Sequence, residues 1–555
     1  MERLFKHRVI FFFCIVILML CSGAVRVYYL CVVEKEKLSS QADHAQSASV
    51  NIANERGNII DRNGISFTNT DTMIKIVIQP SIFRKSKSYT QKNVDFLAKI
   101  TGEDKMLLDS RFEKLNSAFT LYAQSKYEKT LAKVQIEGIT VVHAKQRYSD
   151  TRIAEHLLGY LDSAGDKGVS GFEATLQMFL KGGGSSVLDY TRDAKNEAIS
   201  GLGVQLAKKD GKCLSVTTTL DFYIQNIVEQ VLDQKMKADP KFKGAVVVSD
   251  TSDGSIVAMS SRPNFSRENI PGELKNTAQP FLNRATSAYN LGSVFKIVDT
   301  ATWLEYFSSE PPIGVCKGYI KVGSRIIKCN NINGHGYLDL QNAFRESCNP
   351  YFVQLGISMG YQKVLQMANN LGLGKTTGIQ GVFESQGSLP QPSDFYNDGD
   401  VANLILGQGK ITATPLQVIA IVNAVVNNGQ LIRPWILQSV SDSQNVKVSD
   451  FPKTGIGKAF SEKTAKRLKT LMIDTVANGT GNPAELANGV GAGGKTGSAE
   501  SGTGGKTHAW FAGFFPAENP RYSIVVVAEN GGHGGKDAGP IFKQIAEKMI
   551  EQGLS

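Results

Sequence analysis

The sequence lacks the features that are typical of a nucleic-acid-binding protein. Its 61 Lys and Arg residues outnumber its 51 Asp and Glu residues and give a net charge of +10. These cations are scattered, with no dense basic run and no stripe that interleaves basic and aromatic residues. Excess positive charge also suits a protein that lies against anionic lipids or an anionic cell wall. We therefore expect a partner in the cell envelope and no nucleic acid.

The sequence also lacks internal repeats and long low-complexity tracts. Its composition, 42% apolar and 20% charged residues, is ordinary for a globular protein and argues against disorder. A chain of 555 residues is too long for one compact domain, so two or three folding units are expected.

The N-terminus predicts a membrane anchor. A basic tail over 1–8 precedes an apolar run over 9–33, which only Arg26 interrupts. A tilted helix with a snorkelling Arg26 would span a bilayer. The alternative is a cleaved signal peptide, but no small-x-small cleavage site follows before Glu34. The basic flank predicts a cytoplasmic N-terminus, so the residues after 34 would be extracytoplasmic.

The rest of the chain divides into a region without catalytic patterns, 34–215, and a region of different character, 216–555. The second region has two apolar strands near its start, around Gly244 and Ser255, and two near its end, around His508 and Tyr522. Between them the pattern is helical. This order predicts one sheet that the two ends of the region complete, covered by helices, in the α+β or α/β class.

The strongest chemical signal is Ser293-Val-Phe-Lys296. On a helix, residues i and i+3 share a face, so the hydroxyl and the amine can meet. A serine hydroxyl is a poor nucleophile until an adjacent base takes its proton, and a lysine can act as that base only when it is neutral. The chain contains no other Ser-x-x-Lys.

Two further triplets gain meaning only in combination. Ser347-Cys-Asn349 could supply a second hydroxyl and an amide, and Lys495-Thr-Gly497 a second cation. The Lys-Thr-Gly pattern occurs again at Lys453. Only the Lys495 copy lies in a glycine-rich approach to a strand, where glycines allow a substrate backbone to pair at close range.

In this order the three motifs resemble the active site of penicillin-binding proteins and serine β-lactamases. The segment Arg56–Gly64 and the triplet Gly171-Phe-Glu173 are similar to the pedestal of class B penicillin-binding proteins. The resemblance implies a transmembrane anchor over 9–33, an elongated, mostly β pedestal over 34–215, and a transpeptidase domain over 216–555 with a central antiparallel sheet and helices on both faces. Leu291 departs from the proline that the family usually has before Gly-Ser.

The resemblance also implies a peptidoglycan D,D-transpeptidase. Ser293 would attack the D-alanyl-D-alanine end of a stem peptide, with Lys296 as general base. Ser347 would relay a proton to the departing D-alanine, and the N–H groups of Ser293 and Ser498 would form the oxyanion hole. The amine of a neighbouring stem peptide would then resolve the acyl-enzyme, whereas a β-lactam would remain attached.

The remaining residues of the motifs are implied to bind substrate. Asn349 would hold the substrate amide, Lys495 would contribute positive charge, and Thr496 with Gly497 would bind near the terminal carboxylate. No cofactor is required for this chemistry. Because no glycan-polymerising domain is evident, a glycosyltransferase partner in the membrane is implied, for elongation, division or sporulation.

Other functions fit parts of the same pattern. Gly489-x4-Gly494-Lys495-Thr496 matches the phosphate-loop pattern, which needs a strand before it and a helix after it. A D,D-carboxypeptidase or a β-lactamase-like hydrolase would use the same groups with water as acceptor. A non-catalytic cell-wall scaffold would keep the fold and drop the reaction.

Cys316-x12-Cys329-x5-His335, followed by Cys348, has spacings that can build a tetrahedral zinc site. With four protein ligands the metal would be structural. A Cys316–Cys329 disulfide and unlinked buried thiols are the alternatives.

Overall fold

The computed structural model describes residues 2–149, 151–452, 455–487, 489–501 and 505–554. The second Lys-Thr-Gly copy begins with Lys453 and Thr454, which lie outside the described residues. The chain forms two compact units. The first comprises Met1–Glu55, Asp71–Gln146 and Gly183–Gly211, and the second comprises Arg56–Thr70, Arg147–Gly182 and Lys212–Ser555.

The α-helices of the described residues are α1 (Glu2–Tyr28), α2 (Lys35–Gln46), α3 (Pro80–Lys85), α4 (Gln91–Thr101), α5 (Lys105–Lys114), α6 (Glu128–Leu131), α7 (Glu155–Leu158), α8 (Gly171–Thr175), α9 (Gln177–Leu180), α10 (Phe222–Ala238), α11 (Ile270–Glu273), α12 (Lys296–Tyr306), α13 (Leu340–Arg345), α14 (Asn349–Met359), α15 (Tyr361–Asn370), α16 (Asp398–Ile405), α17 (Pro415–Val426), α18 (Glu462–Asn478) and α19 (Gly539–Glu551).

The strands of the described residues are β1 (Ser47–Arg56), β2 (Ile59–Ile60), β3 (Thr68–Ile78), β4 (Phe119–Ala123), β5 (Ile139–Tyr148), β6 (Lys181–Thr191), β7 (Val204–Lys209), β8 (Ser215–Thr218), β9 (Gly244–Asp250), β10 (Ile256–Arg262), β11 (Gly314–Cys316), β12 (Tyr319–Val322), β13 (Arg325–Lys328), β14 (Gly336–Leu338), β15 (Gln430–Ile432), β16 (Leu437–Ser441), β17 (Lys447–Asp450), β18 (Ile456–Lys458), β19 (Gly493–Glu500), β20 (Thr507–Phe515) and β21 (Tyr522–Ala528).

The N-terminal helix agrees with the predicted anchor. Helical structure continues from Arg3 to Val33 over 31 residues with a mean hydropathy of 2.5, and its apolar side chains are unburied within the protein. The helix passes through Arg26 without a break. By length and composition it can cross a bilayer once.

The first unit also contains two three-stranded sheets, of order β1-β6-β7 and β4-β3-β5. Helices α3, α4 and α5 pack on the second of these through a core that includes Ile76, Phe83, Leu97 and Phe112. Beyond its N-terminal helices, the first unit is therefore built mainly from strands, with three helices on one sheet.

The second unit is organised around an antiparallel sheet of order β10-β9-β21-β20-β19. Alternate residues of a strand point to opposite faces. Val246 and Val526 therefore enter one core, with α10 and α19, while Val247 and Val525 enter the other, with α12, α17 and α18. The prediction of a central antiparallel sheet with helices on both faces is confirmed. Burial on both faces explains why β9 and β21 are almost continuously apolar.

Among the described strands, β19 lies at the edge of this sheet and pairs with β20 alone, with Lys495 opposite Ala512. Lys495 and Thr496 are thus part of an extended strand, and the next regular element of the described chain is β20. The phosphate-loop interpretation is wrong, because that motif requires a loop that leads into a helix.

The two pedestal-like motifs of the sequence meet inside the second unit. Glu173 is fully buried and forms ion pairs with Arg56 at 2.5 Å and with Arg147 at 2.7 Å. The segments around these residues therefore pack with the sheet-containing unit, although they lie before residue 183 in the chain.

Candidate active site

The turn that carries Ser293 is held by close backbone packing. Residues Gly292–Phe295 form a 3-10 turn that runs directly into α12. Gly292 has a φ of +54°, and a Cβ on it would lie 2.5 Å from the carbonyl oxygen of Ser498 on β19. Only glycine fits such a position. The turn forms with Leu291 in place of the usual proline, and it places Ser293 next to β19.

Lys296 is fully buried, and its Nζ contacts two carbonyl oxygens and one hydroxyl. It donates to the Ser347 carbonyl at 2.7 Å and to Asn349 Oδ1 at 2.8 Å, and it lies 3.2 Å from Ser347 Oγ. A neutral amine has two N–H groups and one lone pair. The two carbonyl oxygens occupy both N–H groups, so the lone pair remains for a hydroxyl.

Ser347 joins two lysines. Its backbone has a φ of +53°, an uncommon conformation for a non-glycine residue. Its Oγ accepts a hydrogen bond from Lys495 Nζ at 2.9 Å, in addition to the 3.2 Å contact with Lys296. The structure therefore brings Lys296, Ser347 and Lys495 together. In the described chain, no hydrogen bond links Lys296 Nζ to Ser293 Oγ. Catalytic hydrogen bonds often shorten only in the substrate complex.

The electrostatics favour an uncharged amine at Lys296. Burial lowers the pKa of Lys296 to about 8. Burial, followed by the nearby charge of Lys296, also lowers the pKa of Lys495 well below its usual value. Two buried ammonium groups that share one oxygen disfavour each other's charge. A minor fraction of Lys296 is therefore neutral at pH 7, and most of it is neutral above pH 8.

Asn349 is fixed at both ends of its amide. Its Oδ1 accepts from Lys296, and its Nδ2 donates to the Lys328 carbonyl at 3.1 Å. The residue also begins α14. The orientation of the amide is therefore set by the lysine on one side and by β13 on the other.

One functional candidate was not assigned a role from the sequence. Thr480 Oγ1 lies 3.0 Å from Thr496 Oγ1 and 3.3 Å from the Arg345 carbonyl, to which the Thr480 N–H also donates. Thr480 therefore connects the segment before Ser347 to β19. Nothing in the spacing of the triplet Gly479-Thr-Gly481 identifies a partner in the sequence.

The end of β19 is supported by the segment Gly534–Ala538. The Gly534 N–H donates to Ser498 Oγ at 3.2 Å, and a Cβ on Gly534 would lie 2.4 Å from the Gly497 carbonyl oxygen. This close approach positions Gly497 and Ser498 at the edge of the sheet, beside the turn that carries Ser293.

The predicted cysteine and histidine ligands also come together. The candidate ligand atoms of Cys316, Cys329, His335 and Cys348 lie within 4.8 Å of one another. Cys329 Sγ is 4.0 Å from Cys348 Sγ and 3.5 Å from His335 Nδ1. A hydrogen bond with Cys348 lowers the pKa of the Cys329 thiol. The cysteines carry no disulfide.

Comparison with known proteins agrees with this geometry. A family model described as the penicillin binding protein transpeptidase domain matches residues 244–547, and one described as the penicillin-binding protein dimerisation domain matches residues 51–215. Stage V sporulation protein D of Bacillus subtilis is 30% identical over 554 residues, which cover 95% of this chain and 83% of that protein.

Two further similarities extend over nearly the whole chain. Peptidoglycan D,D-transpeptidase MrdA of Acinetobacter baumannii is 26% identical, with 100% of this chain and 88% of that protein covered. The crystal structure of penicillin binding protein 3 from Mycobacterium tuberculosis, complexed with aztreonam, superposes with a TM-score of 0.64 at 22% identity. The superposition covers 91% of this chain and 97% of the Mycobacterium tuberculosis chain. At this level of identity the structural match supports the fold alone.

Proposed function

The chain belongs to the class B penicillin-binding proteins, and we propose that it is a peptidoglycan D,D-transpeptidase that acts through an acyl-enzyme on Ser293. The observation that carries this assignment is the network around Ser347 Oγ, which contacts Lys296 at 3.2 Å and Lys495 at 2.9 Å. This network lies beside the tight turn that holds Ser293 against β19. The four side chains supply a nucleophile, a base, a proton relay and a cation.

In the acylation step, Lys296 accepts the proton of the Ser293 hydroxyl while Oγ attacks the penultimate D-alanine carbonyl. The N–H groups of Ser293 and Ser498 bind the oxyanion that forms. When the C–N bond breaks, Ser347 donates its proton to the departing nitrogen and receives the proton held by Lys296. The base is thereby restored, and the products are an ester on Ser293 and free D-alanine.

The substrate is held on both sides of the reacting carbonyl. Asn349 binds the peptide amide, and the edge of β19 at Gly497 pairs with the peptide backbone. Thr496 donates to the terminal carboxylate, with Lys495 as the nearby positive charge. Thr480 orients the Thr496 hydroxyl. An amine of a second stem peptide then attacks the ester, and a β-lactam acylates the same serine.

We place the protein in the bacterial plasma membrane, with residues 1–8 in the cytoplasm, the anchor over 9–33, and the pedestal over 34–215 and transpeptidase domain over 216–555 outside. The basic tail before the anchor supports this orientation. A glycosyltransferase in the same membrane would supply the glycan strands that the enzyme cross-links.

The Cys316, Cys329, His335 and Cys348 cluster has the properties of a structural zinc site. Ligand atoms that surround Zn²⁺ as a tetrahedron, with sulfur at ~2.3 Å and nitrogen at ~2.0 Å from the metal, lie about 3.5–3.8 Å from one another. In the structure, Cys329 Sγ lies 3.5 Å from His335 Nδ1 and 4.0 Å from Cys348 Sγ. All three cysteines are buried. These residues would hold Zn²⁺ with no open position, so the metal would brace the Ser347–Asn349 segment without entering the reaction.

The test is labelling of the full-length protein with a fluorescent penicillin, followed by mass spectrometry of the labelled peptide. We expect the label on Ser293, no label in Ser293→Ala, and full labelling in Ser252→Ala, which removes an exposed serine hydroxyl. Product analysis with stem-peptide substrates should then show cross-linked peptide. A label that persists in Ser293→Ala, or products of hydrolysis alone, would contradict the assignment.

A further inference from the structure

The segment 311–338, which we call the basic hairpin segment, is strongly charged. It lies between α12 and α13 and contains Lys317, Lys321, Arg325 and Lys328, with no Asp or Glu. All four side chains are exposed. Within the described part of the chain, none of them forms an ion pair. A solvated protein surface usually mixes both signs of charge, so four unpaired cations on one segment indicate an anionic partner.

The same segment exposes large apolar side chains. Its hairpin of β12 and β13 pairs Tyr319 with Lys328 and Lys321 with Ile326, and all four of these side chains are exposed. The exposed fractions are 53% for Tyr319 and 62% for Ile326, and the loop beyond the hairpin exposes Ile332 by 79%. An apolar patch with a charged rim is typical of a binding surface.

The hairpin exposes these side chains although its other face packs in a core. The opposite face of the hairpin carries Ile320 and Ile327, which pack with Val322 against Val353 of α14. The register therefore puts Tyr319, Lys321, Ile326 and Lys328 on the outer face, whereas Arg325 is paired with Val322 and is exposed next to the turn of the hairpin. Tyr319, Lys321, Ile326 and Lys328 are all exposed.

The hairpin is continuous with the catalytic site. The carbonyl of Lys328, the last residue of β13, accepts the hydrogen bond from Asn349 Nδ2 at 3.1 Å. Gln354 on α14 also donates to the Val315 carbonyl at 3.0 Å. A ligand on the outer face would therefore lie next to the amide that holds the donor peptide.

We propose that the outer face of the basic hairpin segment binds the acceptor, the acidic stem peptide of a second peptidoglycan strand. This inference rests on the proposed transpeptidase function and names the part of the chain that its second substrate contacts. A stem peptide carries free carboxylates and small aliphatic side chains, which match the cations and the Tyr319–Ile326 patch. Lys495 is buried beside Ser347, so Lys321 and Lys328 are the cations that the outer face offers to the acceptor.

The discriminating experiment measures how the acyl-enzyme divides between cross-linking and hydrolysis. Full-length Lys321→Ala is compared with wild type and with Lys463→Ala, a control that removes one exposed cation of α18 that forms no ion pair among the described residues. The donor and acceptor are soluble stem peptides. We expect penicillin labelling within about twofold of wild type. The ratio of cross-linked to hydrolysed product should fall about fivefold in the hairpin variant alone.

A second comparison uses acceptor peptides whose side carboxylates are amidated. Wild type should prefer the acidic acceptor, and the hairpin variant should lose most of that preference. An unchanged ratio of cross-linked to hydrolysed product overturns the inference. A loss of penicillin labelling as large as the loss of cross-linking also overturns it, because the hairpin would then act only by shaping the site around Asn349. Reduced binding to anionic lipid vesicles with an unchanged ratio would assign the surface to lipid instead. Wild type that gives hydrolysis alone would refute the proposed function itself.

Discussion

Replacement of Thr480 by valine should weaken recognition of a substrate carboxylate while the fold stays intact. Valine keeps the shape of threonine and loses the hydroxyl that lies 3.0 Å from Thr496 Oγ1 and 3.3 Å from the Arg345 carbonyl. The Thr480 N–H still donates to the same carbonyl at 3.2 Å, so the backbone between α18 and β19 remains tied.

The magnitude follows from the single proton of the Thr480 hydroxyl. That proton can go to the Arg345 carbonyl at 3.3 Å or to Thr496 Oγ1 at 3.0 Å, and in the second arrangement the proton of Thr496 is free to bind the carboxylate. Without Thr480, the Thr496 hydroxyl loses that partner and turns freely. A neutral hydrogen bond contributes about 1 kcal/mol, which corresponds to about a fivefold change in a rate constant. Because the affected hydroxyl binds a charged group, a tenfold loss is the upper expectation.

The assay is the second-order rate of acylation by a penicillin and by its carboxylate ester. Thr480→Val should lose about fivefold with the acid and little with the ester, and Thr480→Ser should retain the wild-type preference. Thr470→Val serves as a matched control, because it removes an exposed hydroxyl of α18 that donates only to the Lys466 carbonyl. Equal losses with both compounds would refute the reasoning, since they would show that Thr480 has a purely structural role.

Three further outcomes are expected. Because burial lowers the pKa of Lys296 to about 8, the acylation rate should rise with pH and level off above that value. The rate at pH 6 should be about 50-fold below that at pH 8, and a flat stopped-flow profile would contradict a neutral lysine base. Asp299 is fully buried with neither carboxylate oxygen hydrogen-bonded, and burial raises its pKa well above the usual value. A buried carboxyl with a raised pKa lowers the free energy of unfolding as pH rises, so Asp299→Asn should raise Tm more at pH 8 than at pH 5. A lower Tm in the variant would show instead that Asp299 is ionised and pairs with Lys296. Chelation should release one zinc ion per chain and lower Tm by at least about 5 °C, whereas Cys329→Ser should contain no zinc before treatment.

The sequence was most informative where a physical pattern is local. The apolar run before residue 34 predicted the N-terminal helix, and the apolar segments around Gly244 and Tyr522 predicted strands of one sheet. Their strong periodicity reflects burial on both faces, which depends little on the rest of the fold. The order in which the strands pair is not a local property, because β9 pairs with β21 as well as with β10, its neighbour in sequence. The residue pattern predicted one sheet that both ends of the region complete, but it did not give the order in which the strands pair.

The catalytic motifs could be named from the sequence, but their connections could not. Spacing on a helix suggested a direct contact between Ser293 and Lys296, whereas the structure directs Lys296 Nζ to Ser347 and Asn349. Thr480 was missed for the same reason, since its partner Thr496 lies 16 residues further along the chain on a different element. Contacts of this kind depend on how elements pack, which no local pattern encodes.

The triplet Ser347-Cys-Asn349 shows why neighbouring residues in one motif need not act in one site. Ser347 and Asn349 point their side chains toward the lysines, while Cys348 lies in the cysteine and histidine cluster. The positive φ of Ser347 produces this division, because it turns the chain sharply just before α14 begins. Any group that fixes the Cys348 sulfur therefore also fixes the carbonyl and amide oxygens that hold Lys296. The position of Lys296, the proposed base, is thus coupled through Cys348 to the cysteine and histidine cluster.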